Sequence, residues 1–178
     1  PSEIGGRLNV PQTSLSRLFQ VLLDAHLLER QLPFGESVRT TKRSLYRLAD
    51  PTMRFWFRVY SPHRSRWATY STLAKKRLLD DHASTVFEDQ LRAIWPGAGR
   101  YWESGLELDL VRADEKGLVV GEIKWVSLSR KERDSALRSV EARFRYSQLA
   151  AKHRSVRFEV LDAKALSIIA RKRALQAH

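Results

Sequence analysis

The stretch LELDLVRADEKGLVVGEIKW, from Leu106 to Trp125, places two apolar runs on either side of a polar turn. Each run has the length of a β-strand, and the turn from Asp114 to Gly117 contains residues that favour chain reversal. The stretch therefore predicts two strands that pair as an antiparallel hairpin. Three charged residues, Asp109, Glu122 and Lys124, interrupt the apolar pattern and require an explanation.

The alternation of side chains along a strand gives the acids of the first run a predicted direction. Residues two apart share a face, so Glu107, Asp109 and Val111 are expected on one side. Leu108 and Leu110 are expected together on the other side.

The second run places its charges in the same way. Glu122 and Lys124 should share a face with Val120, while Ile123 and Trp125 take the opposite side. Pairing of the strands through the turn would bring Asp109 close to Glu122 and Lys124. The hairpin thus predicts two converging carboxylates with an ammonium group beside them.

Two carboxylates repel each other at short range unless a cation lies between them. Mg²⁺ or Mn²⁺ removes this conflict, because a hard divalent ion takes oxygen ligands and retains several waters. A neighbouring lysine can orient water and balance charge on a phosphate. The pattern favours metal-assisted phosphodiester hydrolysis, catalysed by Asp109, Glu122 and Lys124.

Two other interpretations of the hairpin remain open. Glu107 and Glu122 would be exposed strand residues in surface ion pairs with Lys124 or Arg112, a common arrangement on sheets. Alternatively, the fold would serve binding alone and the metal site would be vestigial.

Composition narrows the class of protein. The 178 residues are 43% hydrophobic and include no cysteine, which excludes disulfides and thiol catalysis. No apolar run is long enough for a membrane span and no signal-peptide pattern is present, so we expect a cytoplasmic protein without membrane contact. The 32 Lys and Arg against 20 Asp and Glu give a net charge of +12, which favours DNA as partner over a role in solubility or lipid contact.

Residues 1–50 predict a winged helix-turn-helix. A short helix over Ser2–Leu8 and a turn at Asn9 and Val10 precede a second helix from Pro11 or Gln12. Two strands, within 27–31 and from Ser44, would form the ribbon. The apolar face of the second helix is predicted to contain Leu15, Leu18, Phe19 and Leu22. Because the chain starts with Pro1 and lacks the first helix of this motif, a fragment of a longer protein is expected.

The winged helix would contact DNA through its second helix and its loop. Arg17 is the cation on that helix, and Arg39, Lys42 and Arg43 would form the wing. A purely structural or protein-contact role is the alternative, since Arg17 is the helix's single cation.

Residues 51–78 predict a helical connector that is both aromatic and basic. Asp50 followed by Pro51 is a typical helix start. The interleaved aromatic and arginine side chains would either stack on and neutralise a nucleic-acid strand, with Arg64 and Arg66 in contact, or pack the winged helix against the next domain.

Residues 79–178 predict the order helix, three strands, helix, strand. The first helix, within 73–94, is expected to break at Asp80, Asp81 and His82. Strands are predicted at 99–104, 106–114 and 117–125, a helix at 131–151, a strand at 156–162 and a basic helical tail. Together with the winged helix, this predicts an α/β protein. The five histidines lack the spacing of metal ligands.

Asp109, twelve intervening residues and Glu122-Ile123-Lys124 resemble the signature of PD-(D/E)XK nucleases, whose restriction-endonuclease-like αβββαβ core has this order of elements. The resemblance implies that Asp109, Glu122 and the Ile123 carbonyl bind the metal, and that Lys124 positions the attacking water. It also implies that Glu88, on the first core helix, contacts the metal directly or through water. Gln148 is similar to polar residues that some of these nucleases place near DNA. Leu108 stands where the family's proline would be.

A resemblance also covers nearly the whole chain. LYRLADPTMRFWFRVYSPHRS, FEDQ, GRYWES, ELDLV and GEIKW are similar to the C-terminal region of archaeal-type AAA+ ATPases, in which an ATPase domain precedes a winged helix and a nuclease-like domain. This implies a missing N-terminal ATPase as partner, and no ATP site in this chain because the GxxxxGK[ST] motif is absent. The implied function is a Mg²⁺-dependent DNA endonuclease, or alternatively a non-catalytic DNA-binding or protein-interaction module that regulates the ATPase.

Overall fold

A computed structural model describes residues 2–39, 41, 43–165 and 167. It is a mixed α/β structure with two sheets, as predicted. The chain divides into two compact units, Pro1–Leu32 with Ser37–Leu78, and Pro33–Glu36 with Leu79–His178. Most of the predicted basic tail helix, from residue 168 onward, and Lys42 of the predicted wing lie outside the described residues.

The first unit begins with helix α1 (Ser2–Leu8), a 3₁₀ turn (Gln12–Leu15) and helix α2 (Ser16–Asp24). Strands β1 (Leu28–Gln31) and β2 (Leu45–Leu48) pair antiparallel. The predicted second helix is therefore a 3₁₀ turn followed by an α-helix.

The apolar face predicted for this helix was partly wrong. Leu15 and Phe19 are buried, and the Phe19 ring packs against Tyr46 at 4.8 Å between ring centroids. Leu18, in contrast, is 53% exposed. The buried stripe follows the i, i+4 line through Leu15 and Phe19, and Leu18 lies beside it.

The aromatic and basic segment is helical except at Tyr70 and Ser71, and its helix type changes twice before that interruption. Helix α3 (Pro51–Phe55) starts at Asp50, whose carboxylate accepts a hydrogen bond from the Met53 amide at 2.8 Å, so the predicted cap is confirmed. A π-helical turn (Trp56–Tyr60) and a 3₁₀ helix (Ser61–Thr69) follow.

Helix α4 (Thr72–Ala93) is continuous, so the break predicted at residues 80–82 was wrong. The physical reason is that this stretch contains neither proline nor glycine, and acidic residues in mid-helix do not remove backbone hydrogen bonds.

The second unit contains a four-stranded sheet in the order β3 (Gly99–Glu103), β4 (Leu106–Asp114), β5 (Gly117–Ile123), β6 (Val156–Leu161). The first three strands are antiparallel, and β6 is parallel to β5. The helix predicted at 131–151 is divided into α5 (Arg130–Arg145) and α6 (Gln148–Lys152). The division occurs where the buried Ser147 hydroxyl donates to the Phe144 carbonyl at 2.6 Å.

A β-bulge in β4 overturns the predicted alternation. The β3–β4 register shifts by one residue between Gly99↔Val111 and Tyr101↔Leu108. Leu108 and Val111 consequently belong to one apolar cluster, whereas Leu110 belongs to another. A bulge inserts a residue that strict period-two counting cannot include, so Leu108 and Leu110 do not share a face.

Both faces of the sheet are covered by helices. Val140 and Phe144 of α5 pack with Leu108 and Val120 on one side. On the other side, α4 contributes Phe87 and Leu91, which pack with Leu110 and Ile123. Asp109 therefore lies at the point where β4 changes face.

Candidate functional site

The candidate site begins where β4 and β5 stop pairing through their backbones. The ladder between them ends at Leu110↔Gly121. Beyond this pair, the Asp109 side chain takes the place of a backbone acceptor: its Oδ2 accepts a hydrogen bond from the Ile123 amide at 3.0 Å. The bulge and the end of the ladder thus direct a carboxylate toward the β5 backbone.

Glu122 is a buried acid held by two cations. Its side chain is 8% exposed, Oε1 lies 2.7 Å from Lys124 Nζ, and Oε2 accepts from the Arg143 guanidinium. The interpretation of Glu122 as an exposed strand residue is therefore wrong. Its side chain is buried, and a buried acid is rarely found without such partners. Glu107 is exposed and pairs with Arg100, whose Nε is 3.0 Å from Glu107 Oε1.

Arg92 of α4 links Glu88, the third acid of the site, to strand β4. Its guanidinium is buried and donates to the Asp109 carbonyl at 2.7 Å. It also reaches Glu88 Oε2 at 3.4 Å and Asp89 Oδ1 at 2.8 Å. Arg92 was not predicted as a site residue, although its position four residues after Glu88 is the spacing that places two helical side chains side by side.

Arg143 of α5 is the second site residue that the sequence analysis missed. Besides binding Glu122, its Nη1 donates to the Glu107 carbonyl at 2.8 Å. It thus links α5 to both β4 and β5. No local pattern in the sequence identifies it, because its partners are 36 and 21 residues away along the chain.

The electrostatics of the site favour a cation. Burial raises the pKa of Asp109 to about 6, and the negative charges of Glu122 and Glu88 act in the same direction. The hydrogen bond from Ile123 and the charge of Lys124 only partly oppose these effects. Burial also raises the pKa of Glu88, against the opposing charge of Arg92.

The donor set fits a magnesium ion that retains waters. Mg²⁺ is commonly bound by one or two carboxylates with substrate phosphate and water completing the shell, and Asp109 with Glu122 supplies that number. Mutual repulsion between these acids is what a divalent ion would relieve. Within the described part of the chain, no group of three or more His, Asp or Glu side chains is arranged to hold a metal by itself.

The residues predicted to bind nucleic acid lie in both units. In the first unit Arg17, Arg39, Arg64 and Arg66 are exposed, and Arg43 is half-buried. In the second unit Gln148 is exposed at the start of α6, and its backbone N–H donates to Glu103 Oε1 at 3.1 Å. A surface cavity of about 260 Å³ lies beside α2, lined by Gln12, Ser16, Phe19, Gln20, Leu23 and Tyr46.

The helices in the described part of the chain are too short or too polar to cross a membrane.

Comparison with known proteins places this site in a segment of undetermined activity. Residues 56–136 match the model of DUF234, described as archaeal and bacterial proteins of unknown function. An uncharacterised protein of Methanocaldococcus jannaschii, MJECL04, is 29% identical over 150 residues, which cover 74% of this chain and 33% of that protein. The chain thus spans about a third of the length of this curated relative. No solved structure matches the chain significantly. The matched segment contains α4, β3, β4 and β5, and with them Glu88, Asp109, Glu122 and Lys124.

Proposed function

We propose that the second unit is a PD-(D/E)XK-type nuclease that hydrolyses phosphodiester bonds of DNA with Mg²⁺ or Mn²⁺. The observation that supports this proposal is the convergence of Asp109, Glu122 and Lys124 at the splayed ends of β4 and β5. A helix before the sheet brings Glu88 close enough to raise the pKa of Asp109. Carboxylates and a lysine in this arrangement suit attack by water on a phosphate.

Each residue of the site would have a distinct role. Asp109 and Glu122 would hold the metal through their carboxylates, with the Ile123 carbonyl as a further oxygen donor. A bound divalent ion would supply positive charge at the phosphate and increase the acidity of water. Lys124, whose ammonium group lies beside Glu122, would donate a hydrogen bond that orients the attacking water. Glu88 would bind the metal or one of its waters.

The test is cleavage of supercoiled plasmid and single-stranded DNA in Mg²⁺ or Mn²⁺. Asp109→Ala and Lys124→Ala should each abolish cleavage by the purified 178-residue chain. Asp134→Ala and Lys131→Ala, which remove the same charges from exposed positions on α5, should leave it intact. An inert wild type, or equal cleavage by all five proteins, would contradict the proposal.

A non-catalytic nucleic-acid-binding module is the second candidate, and one observation favours it. Both carboxylate oxygens of Glu122 are already bound by cations, Lys124 and Arg143. In this case the ion pairs would replace the metal and hold the strands together. Titration with Mn²⁺ distinguishes the candidates: the nuclease binds the ion and loses binding with Asp109→Ala, whereas the binding module does not bind it.

We further propose that the chain is the C-terminal part of an archaeal-type ATPase that controls this activity. Two observations support this proposal: the resemblance of its sequence to the C-terminal region of those ATPases, and a 150-residue match that covers only a third of a longer relative. Cleavage by the full-length protein should then depend on ATP, while the isolated chain should not respond to it. ATP dependence that the isolated chain shares would contradict this division of roles.

A further inference from the structure

The segment from Pro51 to Leu78, wholly within the first unit, has an unusual composition. It contains seven cations and no acidic residue. The cations are Arg54, Arg58, Arg64, Arg66, Lys75, Lys76 and Arg77. Arg58, Arg64 and Arg66 are exposed, and their positive charge would attract a polyanion.

Two large aromatic side chains are exposed in the same segment. Trp56 is 48% exposed and Phe57 is 57% exposed. They occupy the π-helical turn, a rare geometry that is frequently found at functional sites. Burying these rings would remove apolar surface from contact with water, which favours binding of a partner that covers them.

The Trp56 ring packs against other aromatic rings. It contacts Tyr60 with 5.1 Å between ring centroids, and Tyr60 in turn contacts Trp67 at 5.5 Å. A supported ring loses less side-chain entropy when a ligand stacks on it than a freely rotating ring does. Trp56, Phe57, Arg58, Arg64 and Arg66 are all exposed, and we call this group of side chains the ring surface.

The chemistry of the ring surface fits unpaired bases better than a membrane. An interfacial membrane helix needs a continuous apolar stripe of regular helical period, usually including leucine. Here the helix type changes at Trp56 and again at Ser61. Among residues 51–78, all of them described, the exposed large apolar side chains are Trp56, Phe57 and Leu73, and Leu73 lies in α4, beyond both changes of helix type.

We propose that the ring surface binds a single-stranded polynucleotide, with bases stacked on Trp56 and Phe57 and phosphates paired with Arg58, Arg64 and Arg66. Base faces are open to stacking only where the strand is unpaired, because a duplex hides them. The inference takes from the proposed function only that nucleic acid is the partner. The substrate of the proposed nuclease would then be a single strand or the frayed end of a duplex.

Fluorescence anisotropy in EDTA tests the proposal without cleavage. Labelled oligodeoxyuridylate and oligouridylate should bind the wild type more tightly than a duplex of the same length, and their relative affinities show which sugar the surface prefers. Trp56→Ala and Phe57→Ala should each weaken binding at least about fivefold, the loss of one stacked base. Trp56→Phe, which keeps a ring, should retain most of the affinity and guards against a folding defect.

Two control variants test whether binding depends on the ring surface itself. One changes an exposed apolar side chain elsewhere, and the other changes an acid. Leu73→Ala removes an exposed apolar side chain of the same unit and should leave binding unchanged. Asp134→Ala, which removes an exposed acid of α5, should also bind normally. Because binding is measured in EDTA without cleavage, failure of the nuclease proposal does not affect this result. Equal affinity of Phe57→Ala and the wild type would overturn the proposal. Binding of the wild type to anionic vesicles but not to oligonucleotides would also overturn it.

Discussion

At the scale of single residues, the ionisation of Asp109 determines how the site responds to pH. Burial and two neighbouring acids raise its pKa to about 6. The folded protein therefore binds this proton more tightly than the unfolded chain does. Stability from this group is greatest at low pH and is lost as pH rises from about 4 to about 6, on the order of 3 kcal/mol.

Urea unfolding at several pH values measures this effect. Asp109→Asn should be more stable than the wild type above about pH 6 and should lose this part of the pH dependence. Mg²⁺ should stabilise the wild type mainly above about pH 6, since metal and proton compete for the same carboxylate. A wild type and Asp109→Asn with parallel stability profiles would contradict the raised pKa.

Arg143 leads to a second prediction at this scale. Removing it leaves the buried Glu122 with one cation instead of two. Arg143→Ala should lower the free energy of unfolding by about 2 kcal/mol, because an under-compensated charge remains in the interior. Adding Glu122→Gln should recover part of this loss in chemical denaturation. A double mutant that is as unstable as the sum of the single mutants would show that the pair does not interact.

At the scale of elements, the packing of β4 on β5 depends on a glycine. A Cβ on Gly121 would lie 3.0 Å from Leu110 Cδ2 and 3.3 Å from Leu110 Cβ. Gly121→Ala should therefore destabilise the second unit by about 1 to 3 kcal/mol through overpacking. Thermal unfolding of Gly121→Ala combined with Leu110→Val provides the check, since valine lacks the Cδ2 atom. The double mutant should lose less than the two single changes together.

Local patterns predicted several elements well. The bounds of β4 were predicted correctly, because apolar residues and turn residues mark both of its ends. The cap at Asp50 was predicted because it depends on adjacent residues. The bulge at Asp109 was not predictable, since it depends on how β4 aligns with β3.

The candidate site shows the same division between local and distant information. Lys124 lies beside Glu122 as expected from a spacing of two, although β5 ends at Ile123 and the strand predicted to residue 125 was two residues too long. Arg92 and Arg143 were missed because they reach the strands from helices whose packing is set by the whole core. Sequence spacing thus predicted which charges gather, and only the fold showed what holds them.

At the scale of the whole molecule, a net charge of +12 leads to a prediction about salt. Binding to single-stranded nucleic acid should weaken linearly in log affinity against log salt, because phosphate contacts release counterions. Arg64→Gln with Arg66→Gln should reduce this slope by about 1.4, at roughly 0.7 per contact on a single strand. Filter binding at a series of NaCl concentrations measures the slope.

A matched double variant controls for the loss of net charge alone. Lys131→Gln with Lys152→Gln removes two exposed cations from α5 and α6. It should change the slope less than the arginine pair does. Equal slopes for the two double variants would indicate a diffuse charge effect in place of defined contacts.

The bulge in β4 also constrains how relatives of this chain can differ in length. Removing Asp109 from the chain would restore strict alternation and leave Leu108 on the side of α5, so both apolar clusters would persist while the carboxylate of the site is lost. The turn residues Glu115 and Lys116 lie between the last paired residues of the hairpin, Asp114 and Gly117, and an insertion there leaves the facing of both strands unchanged. Insertions among relatives should therefore accumulate in that turn, and a gap opposite Asp109 should mark relatives that keep the sheet without the acidic site.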